Sequence, residues 1–226
     1  MTAKMIEFPS NGGATPGYLA VPDGSGQHPA IVAIQEWWGL VPHIKDVAER
    51  FAREGFITLA PDLYHGQVAE EPDEARKLAM GLDRDRAVAE IVAAVQFLRA
   101  MESVAPKKIG TVGWCMGGGL SLSTAASSAD VGAAIAFYGR PLDPADTARL
   151  TAPVLGLYGE LDQGIPVAAV QAFEQELKAH HMTHEVHIYP GAPHAFFNDS
   201  RPHIYHAEAA KDAWVRTLAW FRKYLK

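Results

Sequence analysis

IGTVGWCMGGGL, residues Ile109 to Leu120, runs from an apolar segment through the chain's single cysteine, Cys115, into a row of glycines. The apolar part has the length and β-branched content of a buried strand, and the residues after Cys115 read as a helix. Gly113-Trp114-Cys115-Met116-Gly117 therefore sits at a strand-to-helix turn, with a glycine two residues before and two residues after the cysteine. This is the spacing of a nucleophile elbow, with cysteine where serine is usual. The reason is steric: a nucleophile lifted above a sheet on a strained turn leaves no room for side chains at the flanking positions. The helix N-terminus also aims free N–H groups at the nucleophile, which favours thiolate and oxyanion. A buried inert cysteine beside packing glycines is the plain alternative. A phosphate loop fits poorly, because the stretch has no Gly-Lys-Ser/Thr ending.

Working outward, apolar strands alternate with helices along the whole chain. Asn11-Gly12-Gly13 marks a turn between two short strands. Pro29–Gln35 (PAIVAIQ) and FITLAP are strand-like, with the amphipathic stretch HIKDVAERFAREG between them; its Ile44, Val47, Ala48 and Phe51 share a face. Residues Asp62 to Pro72 read as a long loop, succeeded by helices around Asp73–Met80 and Arg84–Met101. KKIGTVG, VGAAIAFYG, APVLGLYG and THEVHIYPG are further strands; VAAVQAFEQELKAH and AEAAKDAWVRTLAWFRKYLK are further helices. The expected fold class is α/β, a mostly parallel sheet covered by helices on both faces, in one domain over residues 1–226.

Composition narrows the function classes. Of 226 residues, 48% are hydrophobic and 20% charged, an ordinary globular balance, which argues against disorder. A net charge of −6 argues against a protein that tracks nucleic-acid phosphates. One cysteine cannot form an intramolecular disulfide, and neither a signal-peptide pattern nor a membrane-length apolar run is present. A cytoplasmic location is the expectation.

A nucleophile needs a base, and the base needs an orienter. The elbow predicts the chain order nucleophile, acid, histidine. Asp162 comes just after a strand end in VLGLYGELDQGIP, with Glu160 a nearby competitor; a turn or helix-entry role is its ordinary alternative. His194 lies directly beyond the last strand in VHIYPGAPHAFF, in a Gly/Pro loop. Four other histidines, His180, His181, His184 and His187, cluster without a recognised ligand spacing and read as solvated polar positions rather than a metal site.

QEWWGL, APDLY, GWCMGGG, YGELDQGIP and PHAFFND, spread from about Lys4 to Leu225, together resemble the dienelactone hydrolase (carboxymethylenebutenolidase) family of α/β-hydrolases. The resemblance implies Cys115 as nucleophile, His194 as general base and acid, and Asp162 as its orienter. It implies an oxyanion hole from the N–H groups of Trp37 and Met116, and a role for Glu36 in holding the resting thiol until substrate displaces it. Well-known members hold a substrate carboxylate with two arginines; the matching positions here are Asn198 and Pro72, with Arg76 one helical turn on and Arg201 near Asn198. Trp37, Trp38, Tyr64, Tyr138, Phe196 and Phe197 suggest an apolar, aromatic-walled pocket, although for Phe196 and Phe197 individually ordinary core packing is the favoured reading.

The resulting expectation is a cofactor-free, metal-free hydrolase that opens a lactone or activated ester through a thioester acyl-enzyme. Its partner is a small-molecule lactone or ester, with no nucleic acid and no membrane; the residues fix no oligomeric state. A broader carboxylesterase or thioesterase on the same residues is one rival, and a non-catalytic binding or redox-sensor protein on this fold is the other.

Overall fold

A computed structural model describes residues 1–226. The N-terminal hairpin pairs β1 (Thr2–Ser10) with β2 (Gly13–Val21) in antiparallel register, from Thr2 opposite Val21 to Ser10 opposite Gly13. Asn11 and Gly12 both take positive φ in its turn, the geometry a two-residue hairpin loop demands. β3 (Ala30–Ile34), β4 (Ile57–Pro61), β5 (Ile109–Trp114), β6 (Val131–Phe137), β7 (Val154–Gly159) and β8 (His184–Tyr189) complete one sheet in the order β1-β2-β4-β3-β5-β6-β7-β8. From β4 to β8 every neighbouring pair is parallel.

Six helices lie in the connections, α1 (Pro42–Arg53), α2 (Pro72–Gly81), α3 (Arg84–Ala100), α4 (Met116–Ser127), α5 (Pro144–Thr147) and α6 (Val167–Ala179), and α7 (Ala207–Tyr224) follows the last strand. Strand side chains alternate between two cores. Val32, Ile34, Ile57 and Leu59 meet α3, α4 and α6 through Ile91, Val95, Leu98, Leu120, Phe173 and Leu177. Ile31, Ala33, Val112 and Ile135 meet α1 and α7 through Ile44, Val47, Phe51 and Phe221. Burying both faces explains why the strands read as continuous apolar runs, and each large side chain so buried contributes about 1.5–3 kcal/mol.

The expected elements are present, with two differences. The long loop ends one residue early, because Pro72 takes the first helical position of α2, where its missing N–H costs nothing. α5 has no counterpart among the expected helices; four residues carry no readable periodicity, and Asp143 makes the helix by capping the N–H of Asp146. No helix is long and apolar enough to cross a membrane.

Candidate active site

Cys115 stands between β5 and α4 with φ 55° and ψ −118°, a backbone conformation rare for a residue with a side chain. Its N–H donates to the Phe137 carbonyl, which ties the turn to β6. The flanking glycines are there for space. A Cβ at Gly113 would run into the Gly117 carbonyl, and one at Gly117 into the carbonyls of Ile34 and Gln35. The strain is thus held by a close approach of strand and helix that no other residue type allows.

Asp162 lies just beyond β7, and its side chain is fully buried. One carboxylate oxygen accepts the N–H groups of Gly164 and Ile165, at 2.8 and 2.9 Å. The other meets His194 Nδ1 at 2.6 Å. Gly159 makes this approach possible, since a Cβ there would strike the carbonyls of Ala192 and Pro193 in the histidine loop. The His194 ring packs edge-on against Tyr138 with 5.0 Å between centroids, and 38% of its side chain remains accessible. Burial pushes the imidazole down, but the Asp162 carboxylate and the Cys115 sulfur outweigh it and hold the ring up at about 10. Glu160, the competitor, is exposed and bonds the Gly191 N–H.

Glu36 lies just past β3 and is 1% exposed. Asn198 Nδ2 donates to one of its oxygens at 2.7 Å, and the Tyr138 hydroxyl approaches the other at 3.5 Å. Burial pushes its carboxyl upward; Asn198, His194, Arg201 and Tyr138 pull it back only in part. The backbone N–H groups of Trp37 and Met116 are engaged by no protein acceptor, so both remain available to a ligand. Tyr64 is buried, with its hydroxyl 3.6 Å from the Met116 sulfur. Burial and the Cys115 sulfur hold that phenol well above its ordinary value, so it stays a donor.

Several residues do not take the places expected of them. Arg76 is an exposed side chain on α2 that pairs with Asp73 at 3.5 Å and lines no cavity near Glu36. A helix that rests on Ala75 alone turns the next residue outward. Asn198 reaches Glu36 with its amide, and its carbonyl oxygen accepts the N–H and hydroxyl of Ser200. Its polar atoms are therefore spent within the protein, although it borders a groove of about 450 Å³. Tyr138 is likewise fully buried, with its hydroxyl on Glu36. Phe196 and Phe197, by contrast, are core residues as favoured, packed among Phe137, Tyr138 and Trp114.

The guanidinium that does reach this groove is Arg201. It lies 4.7 Å from the centre of the Trp38 ring and forms no ion pair with any carboxylate of the chain. Its nearness to Asn198 in the sequence is the available signal. A cavity of about 1010 Å³ lies elsewhere, between the β1–β2 turn and the outer faces of α3, α4 and α5, and holds none of these groups. Among the clustered histidines, His187 contacts Glu185 and Arg216, and His184 bonds the Met182 carbonyl.

The chain is similar to known proteins along nearly its whole length. The model of the dienelactone hydrolase family matches residues 15–225. Protein usf of Aquifex pyrophilus is 36% identical over 98% of this chain and 99% of its own length. A candidate carboxymethylenebutenolidase of Methylorubrum extorquens is 36% identical over 99% of this chain and 82% of its own. The crystal structure of a candidate dienelactone hydrolase from Klebsiella pneumoniae superposes with a TM-score of 0.90 at 32% identity, covering 99% of both chains. An elbow on a parallel sheet is common to many hydrolases, but agreement over the full length is not, and it places the chain in the dienelactone hydrolase family of α/β-hydrolases.

Proposed function

We propose that this family member is a cysteine-dependent hydrolase that opens a lactone or cleaves an enol or aryl ester through a thioester acyl-enzyme. The observation that carries the reading is the strained Cys115 turn facing the Asp162–His194 pair. The Cys115 thiolate attacks the acyl carbon, and the carbonyl oxygen gathers negative charge between the N–H groups of Trp37 and Met116. One such donor contributes about 10²–10³ in rate. The intermediate collapses, the carbon–oxygen bond to the leaving group breaks, and His194 gives that oxygen its proton.

Acylation then changes His194. Part of what holds its proton is the Cys115 sulfur. Once that sulfur carries the acyl group its charge is gone, so the imidazole becomes a better base. It can then take a proton from water, which attacks the thioester and releases the acid. The same chemistry limits the substrate. Thiolate is itself a good leaving group, so a simple alkoxide or amine would lose the competition and the adduct would revert. Activated leaving groups suit the site; alkyl esters and amides do not.

Arg201 bears on the acyl portion. It lines a groove with Trp38, Ser200, Glu70 and Glu71 and is close enough to Glu36 to influence its carboxyl. A planar guanidinium that stacks on Trp38 and makes no ion pair within the chain favours acyl groups that bear a carboxylate. A panel of aryl acetates and of neutral and anionic lactones, run with Cys115→Ala alongside, tests the reading. Hydrolysis that persists unchanged in the variant refutes the mechanism. A preference for anionic lactones that survives Arg201→Ala refutes the assignment of Arg201.

A further inference from the structure

The segment after His194 is fastened residue by residue. Asn198 holds Glu36, Ser200 holds Asn198, and Arg201 covers Trp38. Asp199 points the other way, toward α1. Its Oδ2 accepts Arg50 Nη2 at 2.7 Å, and its Oδ1 meets His43 Nδ1 at 3.2 Å. Arg50 is aimed from its own helix, since Asp46 one turn back accepts its Nε at 2.7 Å. These are the only polar side-chain links between α1 and residues 194–201.

The Asn198 amide has one usable orientation. Its oxygen is committed to the Ser200 N–H, a group that can only donate, so its NH₂ must face Glu36. Whether that NH₂ meets the carboxylate depends on where the backbone of Asn198 lies. That backbone is joined directly to Asp199, and adjacent Cα atoms are separated by about 3.8 Å. A tether at one position therefore fixes the other, and a misplacement of about 1 Å near a reacting centre can cost about 10²-fold in rate.

We infer that Asp199 is a positioning residue of the reaction: bridged to Arg50 and His43, it sets the Asn198 amide on Glu36 and thereby keeps that buried carboxylate in place against Tyr138 and near His194. This rests on the reading of Cys115 as the nucleophile. The groups that face Glu36 are Asn198, Tyr138, His194 and Arg201, and those that face Asp199 are Arg50 and His43. Neither Tyr138 nor His194 replaces the tether, because neither bonds to Asn198 or Asp199.

The test is a double-mutant cycle read on the thiol itself. The pH profile of Cys115 alkylation by iodoacetamide is measured for the parent, Asp199→Asn, Glu36→Gln and the double variant, with kcat and KM on an aryl acetate. Asp199→Asn is expected to displace the alkylation profile in the same direction as Glu36→Gln and to lower kcat about tenfold with little change in KM. In the Glu36→Gln background the same substitution is expected to change the profile no further. A profile identical to the parent's, or equal displacements in both backgrounds, overturns the inference, because a general loosening would act without regard to Glu36. Should Asp199→Asn fail to fold, the double variant Arg50→Gln/His43→Gln removes both links from α1 and is held to the same outcomes. Alkylation needs no substrate, so this result is separable from the hydrolysis of Cys115→Ala.

Discussion

Two carboxylate–imidazole pairs hold the two ends of one segment, Asp162 with His194 and Asp199 with His43, and they are built as opposites. In the first the carboxylate is fully buried and 38% of the imidazole side chain is accessible. In the second the imidazole side chain is 3% accessible and the carboxylate 34%. Desolvation sets the consequences. His194 is held up at about 10, because Asp162 and the Cys115 sulfur outweigh burial. His43 is pushed down, because burial dominates and Arg50 offsets much of what Asp199 supplies. Its Nε2 has no partner, so a second proton there would be an orphaned donor in an apolar wall. One pair is arranged to hold and release a proton, the other to remain neutral and grip.

The comparison breaks first at the exposed imidazole. Asp162→Asn should lower kcat by about 10³-fold or more, since an imidazole without its carboxylate loses orientation and the stabilisation of its charged form. Steady-state hydrolysis of an aryl acetate measures this. His43→Gln should change the same rate by less than about threefold, because Arg50 still holds Asp199. Equal losses in the two variants would mean that the pairs are not functionally distinct.

Protonation sharpens the contrast. The folded-state value of His194 lies above the unfolded value near 6.5, so its stabilisation is complete below pH 6.5 and is lost as pH rises through about 10. Chemical denaturation across that window should show stability falling, with a shallower fall in Asp162→Asn and an unchanged one in His43→Gln. Glu36 has the same sign in a lower window: its carboxyl is raised by burial, so its contribution is present at low pH and is lost as it ionises. Glu36→Gln should therefore raise Tm at pH 8 by a few degrees, about 2–4 °C per kcal/mol for a chain of this size, with the gain disappearing near pH 4. Smallest of all, Arg76→Ala should leave kcat/KM unchanged on both neutral and anionic lactones, since its side chain is turned to solvent beside Asp73.

The elbow, the strands around it and the His194–Asp162 pairing are legible in the sequence because each has a local, sterically enforced signature. Gly113 and Gly117 announce the turn, and Asp162 and His194 succeed strand ends in the order the elbow requires. Asn198, Tyr138 and Arg76 are legible only as residues near the site, and their neighbours decide otherwise. The amide of Asn198 turns inward to Glu36, the hydroxyl of Tyr138 does the same, and Arg76 falls on the outer side of a helix anchored by one alanine.

The sequence by itself thus determines the sheet, the turn at Cys115 and the set of reactive groups, because glycine sterics and strand periodicity act over a few residues. Folding alone decides which imidazole is exposed, which carboxylate is buried, and that Arg50 reaches across 149 positions to hold Asp199. Proton affinity and placement depend on solvent exclusion and charge within a few ångströms. Those neighbours come from α1, β6 and the segment beyond β8, which meet only when the sheet closes.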